Sequence, residues 1–352
     1  MTALTDAALD RLLQRAQSRF SWTERAERYL LVRRWTSRTA TLYRCRGADG
    51  GRPDIVVKVG DHWQPDRPRE LYSEMHRLAT ELPAEEGATV AVPAPLGWDY
   101  APPALVLPFV EGIDLPQLLN GGPDDTRGRG GWEPTAVLAR CGEALGAYHS
   151  RFLPRDELAA AALSEAEADL RAAAGRIVAS SRRIGGIKDR LAVSRRYGDF
   201  AHYNFRLSDG GVLYLLDAPA SRSFAVVHRD IAGFTFELRK PAAGGGSRRQ
   251  SAEQRAWRDD LCDAFLEGYA TRGPVPHFTK TDRWVIQTYQ GHLALGRARR
   301  RWRSARRREA VWYLVRWAGT ALRLGLRGPG GPGGSAMAGS GDRDLSTERA
   351  EA

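Results

Sequence analysis

YGDFAHYNFRLSDGGVLYLLD, residues 197–217, sets two acids and one amide around a loop and a hairpin. Asn204 lies five residues after Asp199, and Asp217 thirteen after Asn204. FRL and VLYLL are short apolar runs joined by the turn sequence SDGG, which predicts two antiparallel strands. An acid closing an apolar strand is costly to desolvate unless it is paired or metal-bound. Magnesium takes oxygen ligands, usually one or two carboxylates completed by phosphate oxygens and water. The trio therefore suits a magnesium–triphosphate site. The amide oxygen of Asn204 can ligate or orient the metal, Asp217 would bridge the nucleotide phosphates through it, and Asp199 would face an acceptor hydroxyl and take its proton.

Upstream, residues 28–35, 39–46 and 54–59 predict three short strands, separated by TSR and by the turn GADGGRP. Thr5 can cap a helix over residues 5–20, with Leu9, Leu12, Leu13 and Ala16 on one face. A second helix is expected over 68–82, carrying Leu71, Met75, Leu78 and Leu82, and further strands over 95–100 and 104–110. Lys58 sits within the apolar strand IVVKVG and needs a partner there. Glu74, on the following helix, is the expected one, with Glu70 a rival one turn away. Such a pair holds a lysine over the nucleotide phosphates. Beyond residue 111 the pattern becomes mainly helical, with helices expected over 133–152 and 155–182.

These pieces resemble the protein-kinase-like superfamily, and within it the aminoglycoside phosphotransferase and lipopolysaccharide kinase branches. The resemblance runs from about residue 28 to about 270. It is carried by VVK, SEMHRLATEL, VPAPLGWDY with ALVLPFVEGIDLPQLL, ALGAYHS, YGDFAHYN and LYLLD. It implies an α+β bilobal fold with a small antiparallel-sheet N-lobe over residues 28–110 and a mainly helical C-lobe over 111–327. A helical extension (1–27) precedes these lobes and a Gly/Pro/Ser-rich tail (328–352) follows. It further implies that Lys58 and Glu74 serve the nucleotide, that Asp199 and Asn204 form the catalytic loop, and that Asn204 and Asp217 bind metal. Leu107 to Val110, including Phe109, would form the hinge whose backbone holds adenine. The cofactors implied are ATP and Mg2+.

The chain departs from the pattern in places. WTSRTAT, the turn between the first two strands, has no glycine, so Ser37 and Thr39 become the candidate phosphate contacts. Tyr197 stands where histidine is usual before Gly-Asp, and Ala-Pro follows Asp217. His228-Arg229-Asp230 spells the triplet of a protein-kinase catalytic loop, but the residue five beyond Asp230 is Thr235 and not Asn. Asp230 is therefore expected to anchor the catalytic loop or start a helix.

Hydrophobic residues make up 42% of the 352, and the formal net charge is +11. The charge suggests an anionic partner. Much of it lies in GRARRRWRSARRR, residues 296–308, where 297–318 reads as one amphipathic helix with Trp and Arg on different faces. That helix fits either a membrane interface or a core-packed terminus with solvated arginines. No nucleic-acid motif accompanies it, so nucleic acid is not the expected partner. No run of about 18 apolar residues is present. Cys45, Cys141 and Cys262 are far apart and lack metal-ligand spacing, as in a cytoplasmic protein with reduced thiols. The expectation is a kinase acting on a hydroxyl of a small-molecule, sugar or lipid-linked glycan acceptor. The alternatives are a nucleotide-binding scaffold or, less favoured, a protein kinase.

Overall fold

The computed structural model describes residues 4–20, 28–37, 40–48, 53–82, 90–120, 131–175, 191–219, 223–240, 251–304 and 306–326. Thr39 and the tail 328–352 lie outside them. The chain divides into two units. One comprises Met1–Ala162 with Ala192–His277, the other Leu163–Leu191 with Phe278–Ala352.

The first unit begins with helix α1 (Asp6–Phe20), strands β1 (Tyr29–Thr36), β2 (Ala40–Gly47) and β3 (Ile55–Gly60), and helix α2 (Arg67–Glu81). It continues through β4 (Val90–Ala91), β5 (Gly97–Tyr100), β6 (Pro103–Pro108), β7 (Ile113–Asp114), α3 (Leu115–Leu119) and α4 (Pro134–Arg151). Helix α5 (Asp156–Gly175) passes from the first unit to the second. The first unit then resumes with β8 (Val193–Arg195), a single 3-10 turn (His202–Asn204), β9 (Phe205–Leu207), β10 (Leu213–Leu215), β11 (Phe224–Val226), α6 (His228–Leu238) and α7 (Ala252–Arg272).

An antiparallel sheet in the order β1-β2-β3-β6-β5 forms the N-terminal half. Strand side chains alternate between faces. Tyr43, Cys45, Ile55, Val57, Val59, Ala104 and Val106 project to one face, where Leu9, Leu12, Leu13 and Ala16 of α1 pack on them. The helix expected as an extension thus supplies one layer of the sheet's core. Thr5 caps it, its Oγ1 accepting from Ala8 N at 3.3 Å. Arg15 ties it down through Asp99 at 2.6 Å and the Ala101 carbonyl. Lys58 has the opposite phase, paired in register with Leu42 and Leu105, so it projects from the face that α1 leaves open.

Helix α2 turns Leu71, Met75 and Leu78 inward, and Pro68 starts it, where the missing N–H costs nothing. The Glu133 side chain caps α4 by accepting from Ala136 N, and a Ser251–Gln254 capping box starts α7. Helices α4 and α7 cross closely. A Cβ on Gly142 would lie 2.0 Å from the Phe265 carbonyl oxygen, and one on Gly268 1.9 Å from that of Ala139. A smaller sheet, β4-β10-β9-β7, contains the expected hairpin, closed by Gly211 N donating to Ser208 O at 2.9 Å.

The second unit contains the end of α5, α8 (Lys280–Arg303) and α9 (Arg307–Leu326). Tyr289 of α8 donates to Asp169 at 2.9 Å. The single helix expected over 297–318 is two helices. Ser304 caps α8, its N–H bonded to Arg300 O at 3.1 Å and its hydroxyl to Arg301 O. Serine competes for local backbone groups in this way, which ends the helix inside the basic run. Trp302 is 55% exposed and sits under the guanidinium of Arg307, so tryptophan and arginine do not occupy separate faces. No helix among the described residues is long and apolar enough to cross a membrane. Cys45, Cys141 and Cys262 are buried free thiols, and burial, followed by the charges of Asp10, Asp54 and Asp6, pushes the Cys45 thiol up to about 12.

Candidate active site

Strand β8 leads into the loop that carries Asp199. Gly198 turns the chain there with φ of 93°, a conformation that favours glycine. Asp230, buried at the start of α6, accepts from Tyr197 N at 2.6 Å and Gly198 N at 2.9 Å. His149 of α4 approaches Oδ2, the oxygen that also accepts from Tyr197 N, at 3.3 Å through Nε2, and its Nδ1 meets the Tyr269 hydroxyl at 2.9 Å. Burial alone would raise the Asp230 carboxyl. The hydrogen bond and charge of His149, then the Gly198 N–H and the charge of Arg196, outweigh burial and hold it below the usual range. Asp230 thus anchors the loop through two of its N–H groups and lies in the first turn of a helix, as the sequence led one to expect.

Beyond Asp199 the chain folds back on itself. Asn204 Nδ2 donates to the Asp199 carbonyl at 2.8 Å, and Leu216 N donates to the Asn204 carbonyl at 2.8 Å. These bonds set Asp199, Asn204 and the residue before Asp217 side by side. The hydroxyl of fully buried Tyr197 donates to the Asp217 carbonyl. Burial, and then the charge of Asp217, holds this phenol well above its ordinary range, so it remains a donor. Sequence reading marked Tyr197 only as a departure. The contact shows it serving as a link between the loop and Asp217.

Lys58 reaches from β3 to Asp217, with Nζ 2.9 Å from Oδ1. Its ammonium also lies 5.9 Å from the centre of the Trp63 ring. The expected partner, Glu74, is engaged elsewhere. Its Oε1 accepts from Arg195 at 2.9 Å and its Oε2 from Arg77 at 2.7 Å. Burial would raise Glu74, but the two guanidinium groups outweigh it and hold the carboxyl below its ordinary range. The rival Glu70 pairs with Arg67 at 3.2 Å. Each half-buried charge therefore has a partner, but the partners differ from those expected by nearness in sequence. Arg195, unmarked in the sequence reading, links α2 to the strand that enters the Asp199 loop.

The phosphate and adenine expectations fare differently. Ser37 spends its hydroxyl on the turn, donating to Ala40 O at 2.9 Å and accepting from Ala40 N at 3.1 Å. It shapes the β1–β2 turn, and Thr39 lies outside the described residues. At the hinge, Leu107 is buried within β6. Phe109 N donates to Asp54 O at 2.8 Å and the Val110 carbonyl accepts from Arg206 Nη1 at 2.8 Å. Those two backbone groups already serve the fold, so they are not the ones that would hold adenine. Phe109 and Val110 instead line a pocket of about 430 Å³ with Pro93, Glu111, Ser208 and Tyr214. None of Lys58, Asp199, Asn204 or Asp217 lines it. The pocket and the charged cluster are thus lined by different residues.

The fit to a metal can be judged atom by atom. The Asp199 carbonyl accepts from Nδ2 of Asn204, which orients the amide and leaves Oδ1 directed away. Asp217 uses Oδ1 for Lys58 and for Ala218 N at 3.0 Å, leaving Oδ2 as the outward oxygen. One amide oxygen and one carboxylate suit magnesium completed by phosphate oxygens and water. Among the described residues no group of three or more His, Cys, Asp and Glu is placed to hold a metal.

No protein-family model and no curated protein matches the chain. Among solved structures, wild-type aminoglycoside 2'-phosphotransferase-IIIa in its GDP complex matches at 11% identity with a TM-score of 0.50, covering 91% of this chain and 99% of that one. The apoenzyme of a macrolide 2'-phosphotransferase from Brachybacterium faecium matches at 15% identity with a TM-score of 0.49, covering 88% and 97%. At such identity the first likeness concerns fold alone. With the antiparallel sheet followed by a mainly helical part, this chain has the protein-kinase-like fold of the aminoglycoside phosphotransferases.

Proposed function

We propose that this chain, which has the protein-kinase-like fold, is an ATP- and magnesium-dependent kinase. Its acceptor would be a hydroxyl of a small molecule, a sugar or a lipid-linked glycan. One observation carries the reading. Lys58 of the sheet meets Asp217 at 2.9 Å, and Asp217 follows the residue bonded to Asn204, whose amide is bonded to Asp199. A cation, a candidate metal ligand, an amide and a candidate base thus converge within one unit.

Each residue has a role in this reading. Lys58 would neutralise donor phosphates, and Asn204 Oδ1 and Asp217 would hold magnesium. The magnesium ion, when bound, supplies charge neutralisation at the phosphate oxygens. Asp199 would orient the acceptor hydroxyl and take up its proton as the oxygen bonds to phosphorus. Little covalent chemistry is asked of the protein, since phosphoryl transfer rests mostly on positioning and electrostatics. Asp230, Tyr197 and Gly198 hold the loop in shape from outside the reacting atoms.

A nucleotide-binding scaffold without transfer is the second reading. It draws on Glu74, which is held by Arg195 and Arg77 and leaves Lys58 to Asp217 alone. One experiment separates the two. Formation of ADP from ATP with magnesium, measured with and without a panel of sugar acceptors, is expected to be acceptor-dependent in the native chain and lost in Asp217→Ala. Tight magnesium–ATP binding with no turnover on any acceptor would instead select the scaffold. Turnover unchanged in Asp217→Ala would sink the assigned site.

A further inference from the structure

Tyr203 makes a contact that the transfer chemistry does not itself require. It lies four residues after Asp199, in the turn His202–Asn204. Its hydroxyl donates to Asp199 Oδ1 at 2.8 Å. The residue is 46% exposed, and its ring lies beside that of His202, with centroids 5.7 Å apart. Asn204 separately fixes Asp199 through the main-chain carbonyl. The loop therefore already has one hold on Asp199 at its backbone, and the Tyr203 hydroxyl bonds the Asp199 carboxylate instead.

A phenol and an alcohol present the same group to a carboxylate: one O–H donor at ordinary hydrogen-bond distance. An acceptor hydroxyl approaching Asp199 would need the place that the Tyr203 hydroxyl holds. We propose that Tyr203 is a placeholder for the acceptor, occupying Asp199 until an acceptor hydroxyl displaces it and keeping water from being activated there. The proposal rests on the reading of Asp199 as the base. The reaction it suppresses is hydrolysis. In that reaction a water oxygen bonds to the γ-phosphorus as the bridge to ADP breaks. ADP leaves with the electron pair and Asp199 takes the water's proton. Partial exposure suits this role, because a side chain on the surface can swing away without opening the core. The residue then acts on specificity, favouring acceptors that bind strongly enough to move an aromatic ring.

Two measurements on the full chain test this. The first needs no nucleotide. With 13C-labelled tyrosine, the Tyr203 ring resonance, identified by its loss in Tyr203→Phe, is expected to shift in Asp199→Asn. An unmoved resonance overturns the proposal. The second is ATP hydrolysis with magnesium and no acceptor. Tyr203→Phe is expected to raise it several-fold with an unchanged melting temperature. An equal or lower rate overturns the proposal in favour of a positioning role, and phosphate found on Tyr203 overturns it in favour of self-modification. Calorimetric binding of magnesium–ATP to the native chain tests the underlying kinase reading by itself. Failure there leaves the resonance result standing on its own, so the two failures are told apart.

Discussion

The Tyr197 hydroxyl hydrogen-bonds the main-chain carbonyl of Asp217, joining the approach to the Asp199 loop to the candidate metal ligand across 20 residues of sequence. The ring is fully buried and packs edge-on against Tyr148 and Phe200. Tyr197→Phe keeps that packing and removes only the bond. It should cost about 1–2 kcal/mol, since a buried carbonyl loses its donor. Magnesium–nucleotide affinity should fall with it, because Asp217 loses a restraint. Urea denaturation and titration calorimetry read the two effects, and a change in stability with unaltered affinity would count against the link.

Asp230 supports two backbone N–H groups at once. Asp230→Ala leaves both buried donors unpaired, at about 1–3 kcal/mol each, and should be among the most destabilising single changes in this unit. The pH dependence follows from the lowered carboxyl. In the window between the folded and the ordinary carboxylate values the unfolded chain binds the proton more readily. The stabilisation is therefore complete above the ordinary carboxylate range and is lost as pH falls through the folded value. Acid denaturation of the native chain against Asp230→Asn checks this, the variant being expected to show the shallower acid limb.

His202 should titrate far below a normal histidine. Burial, then the charges of Lys240 and Arg258, lowers it from 6.5 to about 4, and Nδ1 has no hydrogen-bond partner among the described residues. Between those values the unfolded chain takes up a proton that the folded chain refuses. Its contribution to stability is complete above about 6.5 and is lost as pH falls toward about 4. A 1H–15N titration of the imidazole checks the value. A midpoint near 6.5 would show that the ring is not enclosed by those cations.

Lys58 and Glu74 should respond differently to mutation. Glu74→Gln disrupts the bridge to Arg195 and Arg77 but leaves Lys58 on Asp217. It should destabilise by about 1–3 kcal/mol, as expected for hydrogen bonds to charged groups, and lower nucleotide affinity less than Lys58→Met does. A double-mutant cycle on Glu74 and Arg195 should give coupling of about 1 kcal/mol or more, whereas Glu74 and Lys58 should be nearly additive. The reverse pattern would restore the pair expected from sequence.

What the sequence made legible was local. Asp199, Asn204 and Asp217 lie within nineteen residues, and a two-strand turn with SDGG between forces their neighbourhood. Strands β1 to β3 announced themselves as apolar runs cut by Gly and Asp, and α1 and α2 by helical spacing, α1 with the Thr5 cap as well. The ion pairs were not legible. Lys58 found its partner 159 residues away and Glu74 found Arg195 at a distance of 121. Periodicity carries no information at such separations, so nearness suggested Glu74 for Lys58. Tyr203 carried no signal beyond lying inside the loop. Ser304 did carry one: a serine inside RWRSARRR is a helix-ending residue, and it marked the break between α8 and α9.

The packing of α1 on the sheet has a consequence for synthesis. Leu9, Leu12 and Leu13 leave the ribosome well before Ala104 and Val106, which come last among the strand partners they cover. Until residue 106 has emerged, that apolar stripe has no finished surface to close upon, and non-local closure of this kind slows folding. The nascent chain therefore carries an uncovered adhesive segment through the making of a whole lobe. That interval is when chaperone capture or misassociation would decide the yield.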